Sequence, residues 1–84
     1  MWTGVQATIN IPGGQQQRCF TWGWPADLHV LWHLMPVTPT LGNPSLDWDV
    51  AVERYSQAHC TYWITVTNLT SQALTYDVRF AVLS

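Results

Sequence analysis

Apolar and polar residues alternate with a period of two along most of this chain, the spacing of a strand that turns one face to a core. Six such runs follow one another, with turn residues between them. Residues 2–11 set Val5, Ala7, Ile9 and Ile11 against Gly4, Gln6, Thr8 and Asn10, and Pro12-Gly13-Gly14 ends the run. Residues 15–22 form a second, more polar strand that closes on Phe20 and Trp22, and Trp22-Gly23-Trp24-Pro25 predicts a turn.

Residues 27–35 set Leu28, Val30, Trp32 and Leu34 against His29, Leu31, His33 and Met35. Both sets are fairly apolar, which predicts a strand that is central or covered on both sides. Pro36 to Pro44 is the longest loop, stiffened by its prolines. Residues 46–54 put Leu46, Trp48, Val50 and Val52 inward, with Asp47, Asp49, Ala51 and Glu53 outward. Residues 60–68 put Tyr62, Ile64 and Val66 inward, with Thr61, Trp63, Thr65 and Thr67 outward. Residues 74–83 put Leu74, Tyr76, Val78, Phe80 and Val82 inward, with Thr75, Asp77 and Arg79 outward. The connections Tyr55–His59 and Leu69–Ala73 are short enough for hairpins. No helical periodicity competes. The expectation is a single all-β domain over residues 1–84: an antiparallel β-sandwich, or small barrel, of about six strands.

Size and charge sharpen this. A domain of 84 residues buries only about 60–65% of the surface its unfolded chain exposes, so a disulfide, a metal or self-association commonly supports it. Charged residues are 10% of the chain, against roughly 25% in an ordinary globular domain. There is no lysine; the cations are Arg18, Arg54 and Arg79, under a net charge of −2. Three scattered arginines cannot neutralise a run of phosphates, so nucleic acid is excluded as a partner, and an anionic membrane surface is disfavoured for the same reason. Solvation falls instead to ten threonines, to Gln15-Gln16-Gln17 and to other amides and hydroxyls. No signal peptide and no apolar run long enough for a membrane helix is visible, so no compartment is assigned.

Candidate chemistry is sparse. Cys19 and Cys60 fall in different strands, and two small buried thiols is a simpler reading than a bridge. Asn68-Leu69-Thr70 is formally a glycosylation sequon. His29 and His33 have the spacing of a helical metal pair, but four residues along a strand is roughly 13 Å, too far to share an ion. Asp47 and Asp49 share a strand face and read as a glycosidase pair, a calcium site or solvated edge charges; the last needs no cleft and no further ligands. His59 and Cys60 are adjacent and would point to opposite faces. The expectation is a protein without catalytic residues, metal site or cofactor, and not an enzyme.

The aromatic residues say more. Trp48, Tyr62, Tyr76 and Phe80 are in phase with the core. Trp63 is out of phase, between Thr61 and Thr65, and an exposed Trp on a threonine-rich face suits stacking against a sugar or a protein partner. Trp22 and Trp24 flank a glycine, so at least one should project at a rim; Trp2 lies near the chain end.

Two functions are therefore carried forward. The first is a non-catalytic carbohydrate-binding module that acts as a homo-oligomer, its glycan held by Trp63, Asp47, Asp49, Thr65, Asn68, Trp22 and Trp24. The second is a self-assembling protein whose interface is His29, Leu31, His33 and Met35. An oligomeric apolar pocket or pore ranks third. Trp22-Gly23-Trp24-Pro25 and the run from Thr61 to Thr70 have the style of family signatures without an attached function. In its strand pattern alone the chain resembles small β-sandwich lectins, and that likeness transfers no residues.

Overall fold

The computed structural model describes residues 1–83 and contains six strands and no helix among them. The strands are β1 (Trp2–Ile11), β2 (Gln16–Pro25), β3 (His29–Pro36), β4 (Leu46–Glu53), β5 (His59–Asn68) and β6 (Leu74–Leu83). They form two three-stranded antiparallel sheets, ordered β1-β6-β3 and β2-β5-β4. The all-β character follows from the period-two pattern.

The central strands β5 and β6 supply most of the core. Ile64 and Val66 from one meet Leu74, Tyr76 and Val78 from the other, with Ile11 and Leu34 joining from the edges. This is the alternate set of each strand, so the same pattern that makes the strand also buries its apolar side.

One end of the space between the sheets is filled by rings. Trp24 packs edge-on against Trp32 (5.6 Å between centroids) and Phe80 (5.2 Å). Tyr62 completes the group, 5.6 Å from Trp32. Such edge-to-face pairs add about 0.5–1.5 kcal/mol each beyond the area they bury. The indole N–H of Trp24 is bonded to Thr21 Oγ1 at 3.1 Å, whereas that of Trp32 is buried with no acceptor among the described residues.

The opposite end is closed by a polar residue. Asn68 is 1% exposed, and its Nδ2 donates to the carbonyls of Ile11, Pro12 and Gln72. Its Oδ1 accepts from the backbone N–H and the hydroxyl of Thr70. One side chain thereby ties the β1–β2 turn to the β5–β6 connection. In that turn Gly14 takes φ 70° and donates its N–H to Thr70 O, a backbone conformation that glycine adopts without a Cβ clash.

The structure departs from the sequence pattern in five places. Gln6 is an extra residue in a β-bulge of β1, so Gly4 faces Phe80 inward and Val5 pairs with Arg79 on the outer side. The turn expected at Trp22-Gly23-Trp24-Pro25 is a bulge within β2, where Gly23 takes φ 82° and the strand continues to Pro25. β3 is neither central nor doubly covered; it is an edge strand whose outer residue Leu31 is 57% exposed. Val50 and Val52 lie on the inner face of β4, across from Ile64 and Tyr62, yet Val52 is 63% exposed because nothing on the facing sheet covers that half of the edge strand. The Leu69–Ala73 connection is not a hairpin; it carries the chain from one sheet to the other, while Arg54–Ala58 does join neighbours β4 and β5.

Candidate binding face

The outer face of β2-β5-β4 is built in rows by strand register. Gln16, Thr67 and Asp47 form the first row; Arg18, Thr65 and Asp49 the second; Phe20, Trp63 and Ala51 the third. Glu53 stands across from Thr61 beyond them, and Trp22 sits at the bulge of β2. The face therefore grades from amides and acids at one end to aromatic rings at the other. Alternation along three strands is enough to produce it, because each strand carries its polar or out-of-phase residues on this side.

Trp63 is the hinge of the gradient. Its indole N–H donates to Glu53 Oε1 at 3.0 Å, and Phe20 lies 4.9 Å away between centroids, tilted 32°. The Arg18 guanidinium lies over the Trp63 ring, 4.5 Å from its centroid, a cation–π contact. These contacts hold the indole in one orientation, so it is a preformed surface. Beside it is a shallow depression of about 370 Å³ that Arg18, Asp49, Trp63 and Thr65 help to line.

Of the residues singled out as ligand contacts, Trp63, Asp49 and Thr65 are brought together in that depression, and Asp47 lies one row away beside Thr67. Trp22 is 71% exposed, on the aromatic side of Trp63. Trp24 is turned inward by the β2 bulge and belongs to the ring cluster between the sheets. Asn68 is removed from the ligand set: it is buried, all its polar atoms are bonded within the chain, and the sequon it heads is a structural corner. Sequence reasoning missed Arg18, Phe20 and Glu53. Phe20 and Trp22 share the parity of one strand, which already marks a common face; what brings Arg18 and Glu53 to Trp63 is the pairing of β5 with both neighbours.

His29, Leu31, His33 and Met35 lie together on the outer face of β3, with Leu31 and Met35 exposed beside Val5 and Leu83 of the same sheet. The two histidines are separated by two strand repeats, with Leu31 between them on the same face. His33 meets Trp48 edge-on, 5.9 Å between centroids, where β3 runs beside β4. At the centre of this face Arg79 and Asp77 form an ion pair at 3.4 Å, and Thr8 donates to Asp77 at 2.8 Å.

Cys19 and Cys60 are free thiols. Both stand on the inner side of β2-β5-β4, but Cys19 pairs with Ile64 and Cys60 with Trp24, so the register separates them along the strands. Burial pushes the Cys19 thiol above its ordinary pKa, which makes it a poor nucleophile. Among the described residues no three of His, Cys, Asp or Glu gather as metal ligands, and no helix is long and apolar enough to cross a membrane. Compared with known proteins, the chain matches no family model, no curated protein and no solved structure.

Proposed function

We propose that the chain is a non-catalytic carbohydrate-binding module that reads its ligand with the outer face of β2-β5-β4. The observation that carries this reading is the row Arg18–Thr65–Asp49 set directly beside the held ring of Trp63. A sugar presents hydroxyls along its edge and C–H groups on its face. The row supplies a cationic donor, a hydroxyl and an anionic acceptor for the edge, and charge-assisted hydrogen bonds are the stronger kind. The aromatic surface meets the apolar face. The depression beside Trp63, about 370 Å³, falls in the size range of small-molecule sites.

A glycan array probed with the purified chain tests this, with Asp49→Asn and Trp63→Ala as controls. Specific glycan signal lost in both variants is the expected result. A blank array from folded protein, or binding that neither variant weakens, sinks the assignment.

A second reading is self-association through the outer face of β1-β6-β3. It is favoured by the exposure of Val5, Leu31, Met35 and Leu83 on one side of one sheet. Sheet faces that water meets in a soluble monomer carry polar residues, and apolar patches of this kind commonly mark interfaces. Association would also make weak sugar sites multivalent. Light scattering after size exclusion reads the mass: a monomer at tens of micromolar ends this reading, and a dimer or larger that Leu31→Glu dissociates supports it.

A further inference from the structure

The aromatic end of the same face holds a second depression, of about 400 Å³, lined by Phe20, Trp22, Glu53, Tyr55, Thr61 and Trp63. Four of these six residues are aromatic, and Glu53 is the one charged residue among them. Phe20, Trp22 and Tyr55 are exposed and Trp63 is half-buried, so water reaches all four rings. Arg54 follows Glu53 in the chain but does not neutralise the depression. Its guanidinium is turned into the β4–β5 turn, bonded to the carbonyls of Ser56 and Gln57.

Rings grouped around a carboxylate are not primarily an apolar surface. The face of each ring carries negative charge density, and a carboxylate beside it adds a full negative charge. Such a site is complementary to a cation with an apolar skin. A quaternary ammonium fits best: its charge is spread over methyl groups, and it has no N–H donors that must be satisfied when it leaves water. The chain already shows a cation on this cluster, because the Arg18 guanidinium lies over Trp63 from the other end of the face. The remaining rings, Phe20, Trp22 and Tyr55, have no cation of the chain among the residues that line the depression.

We infer that the depression between Phe20, Trp22, Tyr55 and Trp63 binds a small quaternary ammonium cation, with Glu53 as its counter-charge. The site is distinct from the sugar row, sharing only Trp63 with it, so the two readings stand or fall separately. The openness of the site to water predicts weak binding, since cation–π attraction is smallest where the cation stays hydrated.

Calorimetric titration of the full chain with choline, with tetramethylammonium and with dimethylbutanol, the uncharged carbon isostere of choline, tests the inference. Both cations should saturate with a Kd on the order of 1 mM, and the alcohol should bind about tenfold more weakly. Trp22→Ala and Glu53→Gln each change an exposed side chain and should each weaken choline about three- to tenfold. Unchanged choline binding by Asp49→Asn, which lies outside this depression and should lose the glycan signal, is the expected separation of the two sites. Equal affinity for choline and the alcohol, no saturation by either cation at tens of millimolar, or unchanged choline binding in both variants would each overturn the inference. Phosphatidylcholine vesicles that sediment the protein when free choline does not bind would overturn it as well, by showing that a membrane surface and not the cation is read.

Discussion

Gly4 abuts the end of the Phe80 ring so closely that a Cβ built on Gly4 would stand 2.7 Å from Phe80 Cζ. Phe80 has little room to yield, since Trp24 and Trp32 pack against it from the other side of the cluster. Gly4→Ala should therefore lower stability by about 1–2 kcal/mol, the overpacking cost less the gain from a stiffer unfolded chain. Gly13→Ala should cost more, because its Cβ would meet the backbone of Ser71 at 2.5 Å and no side chain can rotate away. Urea midpoints at constant slope measure both, and a Gly4→Ala variant as stable as the parent contradicts the packing described.

Asn68 holds three carbonyls with one amide, in a place water does not reach. Asn68→Ala leaves those acceptors short of a donor and should cost about 2–4 kcal/mol. Asn68→Asp should be no better, since a carboxylate cannot donate to a carbonyl. In a secretory host the folded chain should also carry no glycan at this sequon, which intact mass would read.

Two valines on the inner side of the same sheet should respond differently to truncation. Val66 is fully buried between the sheets, and Val66→Ala should cost about 2 kcal/mol through lost burial and a residual cavity. Val52 faces the same way but is mostly exposed, so Val52→Ala should stay within about 0.5 kcal/mol. Equal costs would mean that β4 is covered along its whole length in solution, by a second copy of the chain.

Burial pushes the phenols of Tyr62 and Tyr76 up to about 12, from an ordinary value near 10. The protein therefore disfavours both tyrosinates, while the unfolded chain ionises them freely. The resulting stabilisation is complete below about pH 10 and is lost as the pH rises through about 12. Ultraviolet titration should show these two phenols ionising in the same alkaline window in which the fold melts. Ionisation of both near pH 10 in a chain that stays folded would contradict their placement.

Strand identity was written locally. Trp2–Ile11 and Leu74–Leu83 emerge with the bounds the alternation predicts, and the outward parity of Trp63 is evident from its two threonine neighbours. A period of two is a property of consecutive residues, so composition and spacing suffice to find each strand and its two faces. The face of Phe20, Trp22 and Trp63 was partly legible in the same way.

Partners and coverage were not local, and the tertiary structure decided them. Whether Trp24 projects or packs depended on one extra residue at the β2 bulge, which reverses the parity of everything beyond it. Val5 changed faces for the same reason. The exposure of Val52, the edge position of β3 and the approach of Arg18 and Glu53 to Trp63 all depend on which strands lie side by side. That order is set by the free energy of burying two sheet faces against each other. It is a sum over residues far apart in the chain, so no stretch of sequence carries it alone.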